Sequence, residues 1–136
     1  MQIIVFKLNQ KHFAITTDKI EEITKLLPAI NVPNSPYGVE GLANLRGNVV
    51  AQISLSKLLN VEEDLCYNNV MIIKSGDYKV GLLINEVFKV MDINENEIQN
   101  LETGNNAGIK GIIQVDGAIV NILDVDTLLI ENEGLI

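Results

Sequence analysis

The chain has 136 residues, a formal charge of −8, 47% hydrophobic residues and 21% charged residues. This composition excludes a disordered chain and leaves room for one ordinary domain, or for two small units sharing a core. Without clustered Lys and Arg, so acidic a chain is a poor fit to nucleic acid or an anionic membrane, whose phosphates must be neutralised; its partners are expected to be proteins.

Aromatic residues make up 4% of the chain, so the core has to be built from Ile, Leu and Val. A lone Cys66 can form no internal disulfide, which fits a reducing compartment and makes the cytoplasm the default expectation. The opening M-Q-I-I-V-F-K-L lacks the basic segment and the long apolar run of a secretion signal. No apolar run approaches the ~18 residues that span a bilayer.

Residues Ile3 to Leu8 and His12 to Thr16 are rich in β-branched and aromatic side chains, and the polar Asn9-Gln10-Lys11 between them predicts a hairpin. Asp18 and Glu21 have the spacing of a capping box, which predicts a short helix carrying Ile20 and Ile23 on one face and Glu21 and Glu22 on the other. Pro28 limits pairing after Leu26 and Leu27, and N-V-P-N-S-P-Y-G reads as a loop. Gly41 to Leu45 and Asn48 to Ile53 then read as strands, with Arg46-Gly47 at or beside the tip of their hairpin. Ser54 has the chemistry of a helix N-cap.

Val61 to Asn69, with Glu62-Glu63-Asp64, reads as a junction between two halves. Beyond it, Met71 to Lys74, a turn at Ser75-Gly76-Asp77 and Tyr78 to Ile84 repeat the opening hairpin at a shift of 67 positions. That shift lays Asp18 on Asn85, Ile20 on Val87 and Ile23 on Val90. Asn94 and Glu97 again have capping-box spacing, predicting a helical turn followed by a mobile loop through T-G-N-N-A-G.

The clearest repeat lies at a shift of 70, where Gly41 to Leu59 matches Gly111 to Leu129 without a gap. Identical residues stand at Gly41/Gly111, Gly47/Gly117, Val50/Val120, Leu58/Leu128 and Leu59/Leu129, and Ser54 is matched by a second good N-cap, Asp124. Asp116-Gly117 is a favoured type I′ pair, which supports a hairpin in both copies. The chain thus reads as a pseudo-duplication of residues 1–65 and 66–136, each half with four or five short strands in small barrels or a sandwich. Units of about 65 residues are marginal alone, so the two aliphatic faces are expected to meet in a common interior.

The copies diverge sharply where Arg46, the only arginine, faces Asp116. Arg46 fits two readings: a solvated charge at a turn, or a planar fork of donors held out to a partner's carboxylate. Catalysis finds little support. The single histidine, His12, falls in a strand as an edge or surface residue, and no nucleotide loop or Cys/His cluster is present in the sequence. Asp124-Val-Asp126 lacks the glycine and distal glutamate of a calcium loop and reads as a cap. Adjacent Glu21 and Glu22 diverge rather than converge on a substrate. No enzyme activity, cofactor or metal is expected.

V-E-G-L-A-N-L-R-G-N-V-V followed by I-S-L-S-K-L-L resembles the signature of the CheW family of chemotaxis coupling proteins. The resemblance extends to F-K-L…F-A-I, K-I-E-E-I, P-N-S-P-Y-G-V-E-G, V-G-L-L-I-N-E-V and I-V-N-I-L-D-V-D-T-L-L, essentially the full length. It implies a mainly β fold: two pseudo-duplicated five-stranded SH3-like β-barrel subdomains sharing a hydrophobic core, with short helices. This organisation leaves open an exchange of strands between the two subdomains.

The resemblance further implies a non-enzymatic adaptor that couples transmembrane chemoreceptors to the histidine kinase CheA. Its partners would be the regulatory domain of a CheA-type kinase and the cytoplasmic receptor tip, within membrane-associated arrays. Ile20, Glu22, Asn44, Leu45, Arg46 and Gly47 are the partner-binding residues it implies, with Arg46 pairing to a receptor carboxylate while Ile20 and Leu45 pack on the receptor helix. The chain departs from the family pattern at Ala51, Gln52, Ser54 and Asn85, of which Ser54 and Asn85 retain capping ability. The absence of kinase and receiver motifs from the chain fits a stand-alone adaptor. The rival reading is a ligand-binding module with a cleft between its halves. A scaffold predicts shallow exposed aliphatic patches near Arg46, and a sensor predicts a closed pocket.

Overall fold

A computed structural model describes residues 1–61, 67–75, 78–100 and 108–131. Cys66, the acidic run at the expected junction, the Gly76-Asp77 turn and most of the expected loop after Asn100 lie outside the described residues. The strands are β1 (Gln2–Leu8), β2 (Lys11–Thr16), β3 (Ile20–Lys25), β4 (Ala29–Ile30), β5 (Val39–Leu45) and β6 (Asn48–Ser54). After the short helix α1 (Leu55–Leu58) come β7 (Asn69–Ser75), β8 (Tyr78–Ile84), β9 (Glu86–Asp92), β10 (Gln99–Asn100), β11 (Ile109–Val115) and β12 (Ala118–Leu123), then helix α2 (Val125–Glu131).

They form two six-stranded sheets, in the orders β3-β7-β8-β6-β5-β4 and β10-β11-β12-β2-β1-β9. Each has five full strands and one two-residue edge strand, so the mainly β, double SH3-like barrel architecture stands. The repeat shifts of 67 and 70 superimpose the two orders strand for strand. The sheets do not follow the repeat boundary, because each half lodges its hairpin in the other half's sheet. β2 runs parallel to β12, with His12 opposite Val120, and β8 runs parallel to β6, with Val80 opposite Ala51. His12 therefore sits on an internal strand rather than an edge.

Three apolar clusters hold the sheets. The common one joins Phe6, Leu8, Phe13 and Ile15 of one sheet to Ile53, Met71, Ile73 and Leu82 of the other, with Leu55, Val125 and Leu128 from the helices. The other two fill the barrels. Leu45, Val50, Val70, Ile72 and Leu83 line the first, while Ile3, Val5, Ile113, Val120 and Ile122 line the second. Burial of this aliphatic surface drives the fold, and the shared cluster explains why neither barrel stands apart.

The expected helix at Asp18 is not formed. A 3-10 turn at Thr17–Lys19 leads directly into strand β3, and its N-cap, Thr16, makes no side-chain cap hydrogen bond. The common face of Ile20 and Ile23, expected from a helix capped by Asp18 and Glu21, has another cause. Ile20 pairs with Ile73 but Glu22 with Ile72, so Glu21 is an extra, bulged residue. The bulge places Ile20 and Ile23, three apart, against the same core, as a helix would. Asp18 instead accepts a hydrogen bond from Thr16 and lies beside Lys19, which hold its carboxyl below the usual value.

The second half has the same bulged strand: Val87 and Val90 lie on β9, bulged at Phe88, and Asn85 starts no helix. Its Oδ1 accepts the Asn9 backbone N–H at 2.7 Å, tying the β8–β9 junction to the tip of the opening hairpin. At Ser54 and Asp124 the capping expectation holds, since their side-chain oxygens accept the backbone N–H of Lys57 and Thr127, both at 3.2 Å. A 3-10 turn forms at Glu95–Glu97 with Asn94 as its N-cap residue, but without a capping side-chain bond.

Candidate functional site

The site grows from one turn. Arg46 and Gly47 both have positive φ, +49° and +87°, as do Asp116 and Gly117 at +51° and +81°, so both hairpins close through two-residue turns of the type I′ kind. Asn44 is exposed, and its Oδ1 accepts the Gly47 N–H at 2.9 Å, fixing the turn from within. A Cβ on Gly47 would meet nothing within 4 Å; the glycine is required by its backbone angle, not by crowding.

The turn projects Arg46 outward with 68% of its side chain exposed, and its Nη2 donates to Glu22 Oε1 of β3. Two residues 24 positions apart in sequence are thereby brought together across the rim of the first barrel. Neighbouring Glu21 turns away to pair with Lys79 at 3.1 Å. The planar guanidinium remains open to solvent, with further donors free in geometry to meet a second carboxylate.

Beside the pair lies an apolar strip. Val49 stands opposite Asn44 in the ladder, and Leu42 stands opposite Ile30 of β4. Val49 is 68% exposed and Ile30 76%, with Leu42 also exposed. A charged fork flanked by exposed aliphatic side chains on a rigid sheet can bind a protein surface. It offers no nucleophile, and depressions of about 560 Å³, lined by Glu97, Gln99 and Ile112 to Gln114, and about 390 Å³, lined by Gln2, Thr16 to Lys19 and Lys110, lie elsewhere.

The expected site residues thus separate. Glu22, Asn44, Arg46 and Gly47 meet at the rim, and Ile20 is half-buried against the common core. Leu45 is corrected: only 6% exposed, it packs inside the barrel with Val50 and Ile72 and presents no side chain to a partner. Its place on the surface is taken by Val49. The exposure of Val49, Leu42 and Ile30 was not expected residue by residue; the alternation of β5 carries the signal for Leu42, whereas the two-residue β4 has no readable pattern.

The pseudo-equivalent position in the second barrel carries the same pair with its polarity reversed. Lys89, which lies on Glu22 at a shift of 67, donates to Asp116 at 2.9 Å. Ile119, equivalent to Val49, is exposed beside it. The two rims therefore share geometry and differ in the sign of the charge carried by the turn.

Comparison with known proteins accords with this architecture. The family model described as CheW-like domain matches residues 2–133. Among similar proteins, the chemotaxis protein CheW of Bacillus subtilis is 30% identical over 134 residues, covering 94% of this chain and 86% of that one. That of Thermotoga maritima is 27% identical over 133 residues, covering 96% and 88%. The crystal structure of the scaffolding protein TtCheW from Thermoanaerobacter tengcongensis superimposes with a TM-score of 0.86 at 25% identity, over 93% of this chain and 86% of that one. With a full-length family match and a double barrel of the same form, this chain belongs to the CheW-like domain family.

Proposed function

We propose that the chain is a non-enzymatic chemotaxis adaptor, acting as a single domain, that couples the cytoplasmic tips of chemoreceptors to a CheA-type histidine kinase. The observation that carries this reading is the Arg46–Glu22 pair, held on a rigid type I′ turn beside the exposed Val49, Leu42 and Ile30. Such a face is suited to a partner helix or sheet that brings a carboxylate to Arg46 and apolar side chains to the strip. Glu22 aligns the guanidinium, Asn44 and Gly47 hold the turn, and Ile20 extends the apolar contact. In this reading the protein works in the cytoplasm and is recruited to membrane-associated arrays by its partners. Among the described residues no helix is long and apolar enough to cross a membrane.

The test is calorimetric titration of the chain against the regulatory domain of a CheA-type kinase and against a receptor tip from the same organism. Wild type is expected to bind both, and Arg46→Ala to weaken one of them by about thirtyfold or more, the scale of an interface hot spot. Arg46→Glu should weaken it further by adding repulsion. Failure of wild type to bind either partner would overturn the coupling role.

A further inference from the structure

We propose that Gln52 is a positioning residue for this docking face, acting through Leu27; the inference deepens the coupling function above and rests on it. Gln52 is one of the positions where the copies diverge, since Ile122 stands at its equivalent. It is only 4% exposed, on the same side of β6 as Val50, which fills the first barrel. Its amide has found a peptide to pair with. Gln52 Nε2 donates to the Leu27 carbonyl at 3.1 Å, and Gln52 Oε1 accepts the Leu27 N–H at 3.4 Å.

Leu27 lies between β3 and β4, the two outermost strands of the first sheet, where the barrel has a seam without a backbone ladder. A primary amide offers one donor face and one acceptor face, as a neighbouring strand would, so Gln52 pairs the Leu27 peptide in place of a backbone ladder. Both barrels close this region with an apolar side chain, Leu27 on the cluster containing Val50 and Ile98 on the cluster containing Ile122; the amide pair is what the first barrel adds.

What the clamp fixes is the entry to β4. That strand has only two ladder pairs, Ala29 with Ala43 and Ile30 with Leu42. It runs so close to β5 that a Cβ on Gly41 would lie 2.8 Å from the Ile30 carbonyl oxygen. With so short a ladder, the position of the exposed Ile30 depends on the Leu27 anchor just before it. Gln52 thereby sets the distance between the apolar end of the docking face and Arg46, and with it the partner that fits.

The experiment compares wild type with Gln52→Ile, which copies the second barrel, and Gln52→Met, which keeps the side-chain length without donor or carbonyl. Folding is checked by circular dichroism and thermal melting. Amide hydrogen exchange should be about tenfold faster at Leu27 and Ile30 in both variants and unchanged in β1 and β12. Affinity for the partner that Arg46→Ala weakens should drop by about tenfold while the other partner's affinity stays constant. The penalty of Ile30→Ala should shrink in the Gln52→Ile background, because the two act through one contact. Unaltered exchange at Leu27, equal weakening of both partners, or strict additivity with Ile30→Ala would each overturn the proposal. If wild type binds neither partner, the coupling function itself falls and the docking role of Gln52 with it; exchange at Leu27 then decides whether the clamp exists at all.

Discussion

The Arg46–Glu22 pair should be nearly silent in folding, and a double-mutant cycle with Arg46→Ala and Glu22→Ala measures this. Arg46 is 68% exposed and Glu22 31%, so the pair sits in a largely aqueous dielectric where its attraction is offset by residual desolvation and by side-chain ordering. Exposed pairs of this kind contribute about 0.2–1 kcal/mol. For a chain of this size that amounts to a melting shift of roughly 1–5 °C. Urea denaturation of the four proteins gives the coupling energy directly. Repeating it at 1 M salt, where the screening length falls to about 3 Å, should bring the coupling close to zero. The reversed polarity of Lys89–Asp116 supplies a further control: Glu22→Lys with Arg46→Asp reproduces the second barrel's pair on the first and should fold as well as wild type. A coupling above about 2 kcal/mol, insensitive to salt, would show instead that the pair is part of what holds the barrel together.

Among the described residues Ser56 Oγ is buried without a hydrogen-bond partner, so Ser56→Ala should be neutral or stabilise by up to about 1 kcal/mol in urea denaturation; a clear loss would refute this. Gly41→Ala would press a Cβ against backbone at 2.8 Å and should destabilise by about 1–3 kcal/mol, more than Gly47→Ala, which meets no atoms and bears only the strain of a positive φ of about 1–2 kcal/mol. Melting temperatures of the two variants would show the order. Burial pushes the Asp124 carboxyl up, but hydrogen bonds from Thr127 outweigh it and hold the pKa below 3.8. Because the folded value is the lower one, the cap's contribution is complete above pH 3.8 and is lost as acid titrates through the folded pKa. Asp124→Ala should therefore lose about 1 kcal/mol at pH 7, and much less than that in strong acid, by urea denaturation at each pH.

Local chemistry was legible where it acts locally. The Asp116-Gly117 pair announced its turn and, through the repeat, that of Arg46-Gly47, because a two-residue connection with positive φ admits few residues. Ser54 and Asp124 announced their helices in the same way. The K-I-E-E-I segment misled because a single bulged residue, Glu21, shifts an alternating strand into the spacing of a helix, and nothing local distinguishes the two. Arg46 and Glu22 were both singled out, yet their pairing depends on how the sheet curls β3 toward the β5–β6 turn. Leu45 was misplaced by its neighbours: next to an exposed arginine, it takes the inward position of the alternation. The pairing of Gln52 with Leu27 was invisible because the partner is a backbone group, which has no sequence signature.

The exchange of hairpins between sheets bears on the order in which the chain can become a protein. During synthesis β3 to β8 are complete once Ile84 has emerged, and the first sheet can then close. The earlier hairpin, β1 with β2, has to wait, because its inner edge is sealed only when β12 supplies Val120 to Ile122 opposite His12 to Ala14. Until then β2 carries an open strand edge and a row of apolar side chains, the kind of surface that recruits chaperones or pairs with other chains. The strands made first are therefore the last to be protected, and the vulnerability of this fold in the cell lies in its opening residues rather than in the rim that carries Arg46.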